Sequence, residues 1–453
     1  MRHNLVLKIA IIVGLMVALL IPLSLIDGVV AERGNYRADA EAEIANMWTE
    51  SQLLKGPILV APYSETTYVK VWDKEAEKYI SEKRVNKNRI YYFPETLSID
   101  SHVATEERYR GLYKVPVYTA DITMSGKFLI PQHHGTDTSR EIEWHQPFVT
   151  FGVGDLRGIR SSIEVLWQGV SMDVVPGTIA EFGKGARANL DELYKDQGAS
   201  YDFDIHMALA GTSGLQIIPV GKTTEIVMES DWPHPSFGGR FLPTSREVSD
   251  DGFRAEWHVS HFATNIEERF HECADIPCLG FLENQLGVSF INPIDVYSLV
   301  DRSIKYGILF IAMTFCVFFM FEVLRKLKIH PVQYGFVGLA LAVFYQLLVS
   351  LSEHIAFDYA YLVSAVACVS LIGTYVGYIL HSIVRGLGMS AFLFILYLML
   401  LMILKSEGHA MLMGSCLIFG VLAALMMLTR HVDWYRFSEQ LTNHETQASG
   451  PIQ

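Results

Sequence analysis

The sequence is poor in cysteine and in positive charge. It has 5 cysteines among 453 residues, and its 36 Lys and Arg face 49 Asp and Glu, for a formal net charge of −13. Nucleic-acid-binding proteins usually present a basic face. The composition therefore predicts no nucleic-acid partner.

Short catalytic motifs are also missing from the sequence. It contains no Gly-x-Ser-x-Gly elbow, no Ser-x-x-Lys, no His-Glu-x-x-His and no glycine loop that would cradle a phosphate. Two histidine pairs are candidate metal ligands, His133 with His134 and His258 with His261. On a strand, His258 and His261 would point to opposite faces, so we expect exposed or hydrogen-bonded histidines. The sequence predicts no enzyme activity, no metal and no cofactor.

Long apolar runs, in contrast, are abundant. A helix needs about 20 apolar residues to cross the bilayer core, and within it the backbone satisfies its own hydrogen bonds. Six runs meet this requirement: Ile9–Ile26, Tyr306–Leu324, Tyr334–Ser352, Ile355–Leu380, Gly386–Leu404 and Ala410–Thr429. We therefore predict a multi-pass membrane protein with six transmembrane helices.

The distribution of Lys and Arg predicts the orientation of these helices, because cytoplasmic flanks are enriched in both residues. With a cytoplasmic N-terminus, the inner flanks carry eight such residues, namely Arg2, Lys8, Arg325, Lys326, Lys328, Arg385, Arg430 and Arg436. The outer flanks carry three, Arg302, Lys305 and Lys405. Both termini are therefore predicted to be cytoplasmic. The alternative for the first run is a cleaved signal peptide ending near Val29-Val30-Ala31, which leaves the following domain on the same side.

Between the first two apolar runs lies a long segment of a different amino-acid composition. Its N-terminal part, Ala31–Trp48, predicts a helical stalk, and Gly183–Gln197 predicts a helix or a mobile loop. The remainder contains short segments rich in Val, Ile, Thr, Tyr and Phe, several of which alternate in polarity as half-buried strands do: Thr67–Trp72, Arg89–Phe93, Val115–Leu129, Phe148–Val153, Ile159–Trp167, Tyr201–Ala210, Leu215–Val220, Thr224–Glu229 and Phe253–Ser260. The pattern predicts a large antiparallel, sandwich-like β domain.

The predicted architecture is thus an α+β membrane protein with one large insertion. Residues 1–30 form the cytoplasmic N-terminus and first helix, 31–303 the periplasmic β domain, 304–430 five further helices and 431–453 a cytoplasmic tail. Asp27–Ser303 contains 42 acidic and 26 basic residues. Since anionic lipid repels such a charge, we expect the domain to stand off the membrane surface; the alternative is that the acidic surface only aids solubility.

Two candidate features lie inside the inserted domain. Cys273 and Cys278 are close enough for a local disulfide in an oxidising compartment, and the alternative is a free or metal-binding pair. Asp231, Trp232, His234 and Ser236 form a candidate binding surface that prolines would stiffen, which limits the entropy lost on binding. The alternative is that Trp232 is buried and the prolines only shape a β-edge.

Several longer motifs resemble those of the CreD family of bacterial inner-membrane proteins. They are Phe148–Ile159, Asp231–Phe237, Phe241–Pro243, Arg246–Ser249, Gly252-Phe253, His330–Tyr334, Leu351–His354, Leu428–Arg430 and Asp433–Tyr435. The resemblance implies the inner membrane of a Gram-negative bacterium, expression linked to a two-component envelope response, and a role in cell-envelope integrity that includes colicin tolerance. It implies no catalytic residue, and the family pattern does not include the Cys273–Cys278 pair.

The functional hypothesis is a non-enzymatic envelope protein. Its partners would be the lipid bilayer and, for the periplasmic domain, another envelope protein or a polysaccharide. The competing hypothesis is a membrane enzyme or transporter that acts on lipid or cell-wall precursors. Transporters usually carry ionisable or unwound positions near the bilayer midplane, whereas Glu322, Glu353 and Asp358 lie at the ends of the apolar runs.

Overall fold

The computed structural model describes residues 3–73, 78–135, 141–191, 193, 198–271, 279–290, 296–325, 329–406 and 410–430. The chain divides into two compact units. One comprises Met1–Ala38 with Ile294–Gln453, and its described residues are mainly helical; the described residues of the other, Asp39–Pro293, are mainly in strands. We call them the helical unit and the β domain.

Eleven α-helices lie in the described residues. They are α1 (His3–Ala18), α2 (Leu20–Met47), α3 (His261–Thr264), α4 (Ile266–His271), α5 (Leu279–Leu282), α6 (Val296–Lys305), α7 (Gly307–Arg325), α8 (Pro331–Ser352), α9 (Phe357–Ile379), α10 (Ile383–Lys405) and α11 (Ala410–Thr429). The helix predicted at Ala31–Trp48 is observed, because α2 continues from the first apolar run to Met47; its role as a stalk beyond the membrane stays a prediction.

Four helical segments of the described chain are long and apolar enough to span a membrane: Leu7–Met47, α8, α9 and α10. The number rises to five if α6 and the first part of α7, which meet at an angle of 43°, form one bent span. In α11 the apolar stretch Leu412–Ala423 is shorter. The described helices are therefore long and apolar enough for a multi-pass architecture, and the number of six spans stays a prediction.

Seventeen strands lie in the described residues. They are β1 (Gln52–Asp73), β2 (Lys78–Tyr92), β3 (Thr96–Arg110), β4 (Tyr113–Ile130), β5 (Glu141–Trp144), β6 (Phe148–Gly152), β7 (Glu164–Trp167), β8 (Val170–Met172), β9 (Val174–Pro176), β10 (Gly185–Asn189), β11 (Ala199–Thr212), β12 (Gly214–Ile218), β13 (Thr223–Ser230), β14 (Pro235–Gly239), β15 (Ser245–Ser249), β16 (Gly252–Ser260) and β17 (Leu286–Phe290).

These strands form two mixed sheets. The first has the order β14-β17-β12-β1-β6-β10-β9, with β2 and β5 also paired to β1, and the second has the order β15-β16-β13-β3-β4-β11-β7-β8. Most ladders are antiparallel, as predicted, but β12 pairs in parallel with β1 and β13 in parallel with β3. The antiparallel prediction is corrected to this extent.

One hydrophobic cluster receives side chains from both sheets. Strand β3 shows how, because its residues alternate between exposed and buried along Thr96–Glu106. Leu97, Ile99 and Val103 therefore enter the cluster, together with Ile58 of β1 and Phe203 of β11. Burial of such side chains contributes roughly 1.5–3 kcal/mol each.

Two local predictions differ from the structure. Gly183–Gln197 was expected to be a helix or loop, but Gly185–Asn189 is strand β10, paired between β6 and β9. Its alanines favour a helix in isolation, and the sheet pairing overrides that preference. In the second case, the strand expected at Ile159–Trp167 begins only at Glu164.

Candidate functional site

The predicted surface Asp231–Ser236 connects the end of β13 to strand β14. The Asp231 carboxylate is used within the fold, since its Oδ1 accepts hydrogen bonds from the Thr105 backbone N–H at 2.9 Å and the Thr105 hydroxyl at 2.7 Å. Trp232 packs partly buried against the core and donates from Nε1 to the His234 carbonyl at 3.1 Å. These contacts fix the shape of the segment.

Ser236 belongs to β14, opposite Ser289 of β17. Within the described residues no hydrogen bond joins the side chains of Asp231, His234 and Ser236, so the structure does not assemble them into a catalytic set. A binding role for this surface stays a prediction.

The other predicted candidates are dispersed. The buried His134 accepts or donates a 2.9 Å hydrogen bond with the Tyr92 hydroxyl. The His258 ring lies 3.8 Å from a Glu225 oxygen, and His261 begins α3. Among the residues that the structure describes, no three His, Cys, Asp or Glu side chains form a metal-binding group. The His133 side chain and both Cys273 and Cys278 lie outside the described residues.

A groove that the sequence analysis missed lies on the β domain. It consists of two pockets, with volumes of about 280 and 420 Å³, that share His145 as a wall. We call it the His145 groove. Trp144 and Gln146 line the smaller pocket, and Tyr91 and Glu181 line the larger one. Both volumes together suit a small organic ligand.

Strands β1 and β5 position His145. Tyr63 of β1 pairs with Trp144, the last residue of β5, and the next backbone N–H, that of His145, donates to the Pro62 carbonyl at 2.9 Å. The imidazole Nε2 then lies 2.6 Å from the hydroxyl of the buried Ser64. His145 is thus exposed, but its backbone N–H and its ring Nε2 are both held by hydrogen bonds.

A tight turn, Ile179–Gly183, carries Glu181, which lines the larger pocket. The backbone N–H groups of Phe182 and Gly183 both donate to the Ile179 carbonyl, and Gly183 has φ +76°, a conformation that glycine adopts without strain. The Phe182 ring is buried and stacks on Phe281 at 5.8 Å. These contacts hold the adjacent Glu181 at the pocket.

Glu181 is the unusual residue of this groove. Glu181 is only 4 % exposed. Its Oε1 accepts one long hydrogen bond, 3.4 Å, from the Tyr91 hydroxyl. Oε2 is buried and has no hydrogen-bond partner in the described part of the chain. Burial of a carboxylate oxygen without a hydrogen-bond donor is unfavourable. A ligand that donates a hydrogen bond to Oε2 would remove this cost.

The charge around the groove is mixed. Lys87 and Arg89 of β2 line the larger pocket from its exposed rim. Below the turn, the half-buried Lys55 donates to the Phe182 carbonyl at 2.8 Å, and burial lowers the pKa of its ammonium group. The groove therefore combines a carboxylate at its floor with cations at its rim.

The Ser64–His145 pair resembles part of a nucleophile–base arrangement. A complete triad also needs an acid that orients the histidine. In the described residues no carboxylate is hydrogen-bonded to the His145 ring, and Ser64 is buried behind it. The Ser64–His145 pair therefore lacks the third member of a triad among the described residues.

A second buried carboxylate, Asp155, has all the partners it needs. It accepts hydrogen bonds from the Arg157 guanidinium, at 2.6 and 2.9 Å to Oδ2, and from the Arg157 backbone N–H. These bonds hold the pKa of Asp155 at about 2, below its ordinary value of 3.8. The Gln52 amide completes the cluster, because it bonds both the N–H and the carbonyl of Asp155. The Arg157 guanidinium also donates to the Asn46 carbonyl near the end of α2, so the cluster connects that helix to β1.

The helical unit has its own buried carboxylate, Glu322 of α7. It forms an ion pair with Lys8 of α1, accepts from the Tyr334 hydroxyl of α8 at 3.0 Å and from the Ile329 N–H at 3.4 Å. Lys8 also donates to the Ile329 carbonyl at 3.0 Å. Because every charge here is matched, the cluster ties helix ends together.

Comparison with known proteins identifies relatives along nearly the whole chain. The family model described as "Inner membrane protein CreD" matches residues 4–435. The chain is 37 % identical over 435 residues to Inner membrane protein CreD of Escherichia coli (strain K12), which covers 94 % of this chain and 92 % of that protein. The resemblance inferred from the motifs is thereby confirmed.

Solved structures overlap only weakly. An M1 zinc metallopeptidase from Deinococcus radiodurans is 8 % identical with a TM-score of 0.19, over 44 % of this chain and 42 % of that one. Leukotriene A4 hydrolase from Saccharomyces cerevisiae is 13 % identical with a TM-score of 0.22, over 44 % and 29 %. The chain spans less than half the length of either structure, and overlaps at these scores carry no argument.

Proposed function

Since the chain belongs to the CreD family of inner membrane proteins, we propose that it supports cell-envelope integrity as a binding protein rather than an enzyme. The β domain recognises an envelope component in the His145 groove. The observation that carries this proposal is the buried Oε2 of Glu181, which has no hydrogen-bond partner among the described residues and belongs to a residue that lines the groove. A buried polar group without a partner calls for a physical explanation, and a bound ligand supplies one at Glu181.

The proposed topology has six spans, both termini in the cytoplasm and residues 31–303 in the periplasm. It is supported by the helices long enough to cross a membrane and by the excess of Lys and Arg on the predicted inner flanks. Reporter fusions at Gln453 and near Asp137 test it. Periplasmic activity from the Gln453 fusion contradicts the proposed orientation.

A periplasmic β domain would also allow Cys273 and Cys278 to form a disulfide. A bridge across so short a loop would stabilise by less than the roughly 3 kcal/mol of a 15-residue loop. Mass spectrometry after alkylation, with and without reductant, tests the pairing. Labelling of both thiols in unreduced protein contradicts it.

Site-specific crosslinking in intact membranes tests the binding function. A photoreactive amino acid is introduced at Gln146 in the groove, at His234 in the predicted surface, and at Val170 as an exposed control on the other sheet. We expect an adduct with an envelope component from Gln146 and none from Val170. An adduct from His234 alone would move the binding function to Asp231–Ser236, and no adduct at either position would overturn the proposal.

The competing function, an enzyme or transporter for lipid or cell-wall precursors, makes a different prediction. Deletion of the gene would then cause one precursor to accumulate. Lipid and metabolite analysis of the deletion strain, beside the crosslinking, separates the two, because a binding protein leaves no single accumulating precursor.

A further inference from the structure

We propose that the larger pocket of the His145 groove binds its ligand through a protonated amine at Glu181, with an acidic group of the same ligand at Lys87. This inference rests on the proposed binding function and names the chemistry of the ligand. A short peptide-like zwitterion has both groups.

Glu181 selects the amine. Its only hydrogen bond from a described residue is the long one from Tyr91, and Oε2 accepts none. A neutral donor would satisfy the geometry of that oxygen but leave its charge uncompensated, whereas an ammonium group supplies both donors and charge. Hydrogen bonds to charged groups are also the stronger ones.

Aromatic rings around Glu181 favour the same chemistry. Tyr63, Tyr91 and Phe270 line the pocket with the carboxylate, and the Tyr91 and Phe270 rings meet edge to face at 5.0 Å. Cations are attracted to the faces of aromatic rings, most strongly where water is excluded. An anion at this floor would instead meet the carboxylate.

Lys87 provides the second contact. Residues Lys87, Arg89 and Tyr91 alternate along β2, so their side chains leave the strand on one side. Lys87 is exposed and forms no ion pair within the described residues. At about 3.4 Å per residue, Arg89 lies roughly 7 Å and Lys87 roughly 14 Å along the strand from Tyr91. A ligand that contacts both Glu181, beside Tyr91, and the flexible Lys87 side chain therefore separates its amine and its acid by a distance in this range.

Trialanine is a suitable probe, because three extended residues span about 10 Å between the amino and carboxyl groups. Calorimetric titration uses the full-length protein in lipid nanodiscs and three compounds: trialanine, N-acetyl-trialanine and trialanine amide. We expect acetylation to weaken binding at least tenfold and amidation to weaken it severalfold.

Variants assign each preference to a residue. In Glu181→Gln, trialanine and its N-acetyl form should bind equally, and in Lys87→Gln, trialanine and its amide should do so. Glu164→Gln, an exposed carboxylate on β7, is the matched control and should retain both preferences. Thermal melting of each variant verifies that it is folded.

The outcomes separate this inference from the proposed function. If trialanine does not bind, or if its analogues bind as well as it does, the zwitterion is wrong. An adduct captured from Gln146 would leave the binding function standing in that case. If both preferences persist in Glu181→Gln and Lys87→Gln, the assignment to these residues is overturned.

Discussion

Glu322 of the helical unit and Glu181 of the β domain are both buried carboxylates, but their hydrogen-bond partners differ. In the helical unit, Glu322 is matched by Lys8, Tyr334 and the Ile329 N–H. In the β domain, Glu181 has one long hydrogen bond and an oxygen without a partner among the described residues. The first arrangement stabilises the fold, whereas the second leaves a carboxylate oxygen that can still accept a hydrogen bond. The carboxylate that is able to bind a ligand therefore lies in the β domain.

Asp155 shows that the contrast does not come from strands as such. It lies in the same β domain as Glu181 and is equally buried, at 5 % exposed against 4 %. Yet Arg157 and Gln52 satisfy its polar atoms. The β domain therefore pairs a carboxylate where it needs rigidity, and Glu181 stands out within its own domain.

The largest effect should follow from breaking the matched pair of the helical unit. Lys8→Met leaves Glu322 buried without its cation, and loss of one partner of a buried pair destabilises by about 3–5 kcal/mol. Thermal denaturation in detergent measures the loss. The double variant Lys8→Met/Glu322→Gln should recover most of it.

The control for this prediction is Lys405→Met. Its pair with Asp358 is exposed on both sides, and exposed pairs contribute at most about 1 kcal/mol. Equal losses from Lys8→Met and Lys405→Met would show that burial does not distinguish the two pairs.

A smaller loss of stability is expected from Gly158→Ala, because Gly158 packs closely against residues around Asp155. A Cβ on Gly158 would lie 2.3 Å from Gln52 Nε2 and 2.4 Å from the Ala210 carbonyl oxygen. Gly158→Ala should therefore destabilise the β domain by about 1–3 kcal/mol, as overpacking does. The matched control is Gly28→Ala in α2, where a Cβ meets nothing within 4 Å. A Gly158→Ala protein that melts like the Gly28→Ala protein contradicts the packing argument.

The Asp155–Arg157 pair should make the stability of the β domain depend on pH. The folded pKa of Asp155, about 2, is below its ordinary value of 3.8. The stabilisation is therefore present above about pH 4 and is lost as the pH falls towards 2. Asp155→Asn should lower stability at pH 7 by about 1–2 kcal/mol, an amount reduced by the solvent exposure of Arg157.

Melting curves at pH 7 and pH 3 measure this dependence. The difference between the wild-type protein and Asp155→Asn should shrink at the lower pH. A constant difference would mean that the carboxylate is not the titrating group.

The sequence predicted the elements of the fold better than it predicted the groove. Apolar runs such as Gly386–Leu404 and alternating strands such as Thr224–Glu229 are local signals, and each corresponds to an element of its type, α10 and β13. Strand β10 was mispredicted because its five residues include no β-branched or aromatic side chain that favours a strand, and its pairing with β6 and β9 is a long-range effect.

The groove could not be predicted because its residues come from distant parts of the chain. Ser64, His145 and Glu181 meet only through the register of β1 with β5 and through the turn that Phe182 anchors. None of them belongs to a motif of known chemistry. Asp231, which the sequence did single out, is occupied by Thr105, a contact between residues 126 positions apart.

The smallest effect, and the one of opposite sign, should come from Glu181→Gln. Glutamine has nearly the same shape and removes a buried negative charge that no described cation matches. Stability should therefore stay equal or rise, by up to about 1 kcal/mol, as is common where a binding residue is held at the expense of the fold. Glu164→Gln, on the surface, should change stability by less than about 0.5 kcal/mol. Thermal melting of the ligand-free proteins compares them. A loss above 1 kcal/mol in Glu181→Gln would mean that the carboxylate stabilises the fold as Glu322 and Asp155 do, and the contrast between the two units would disappear.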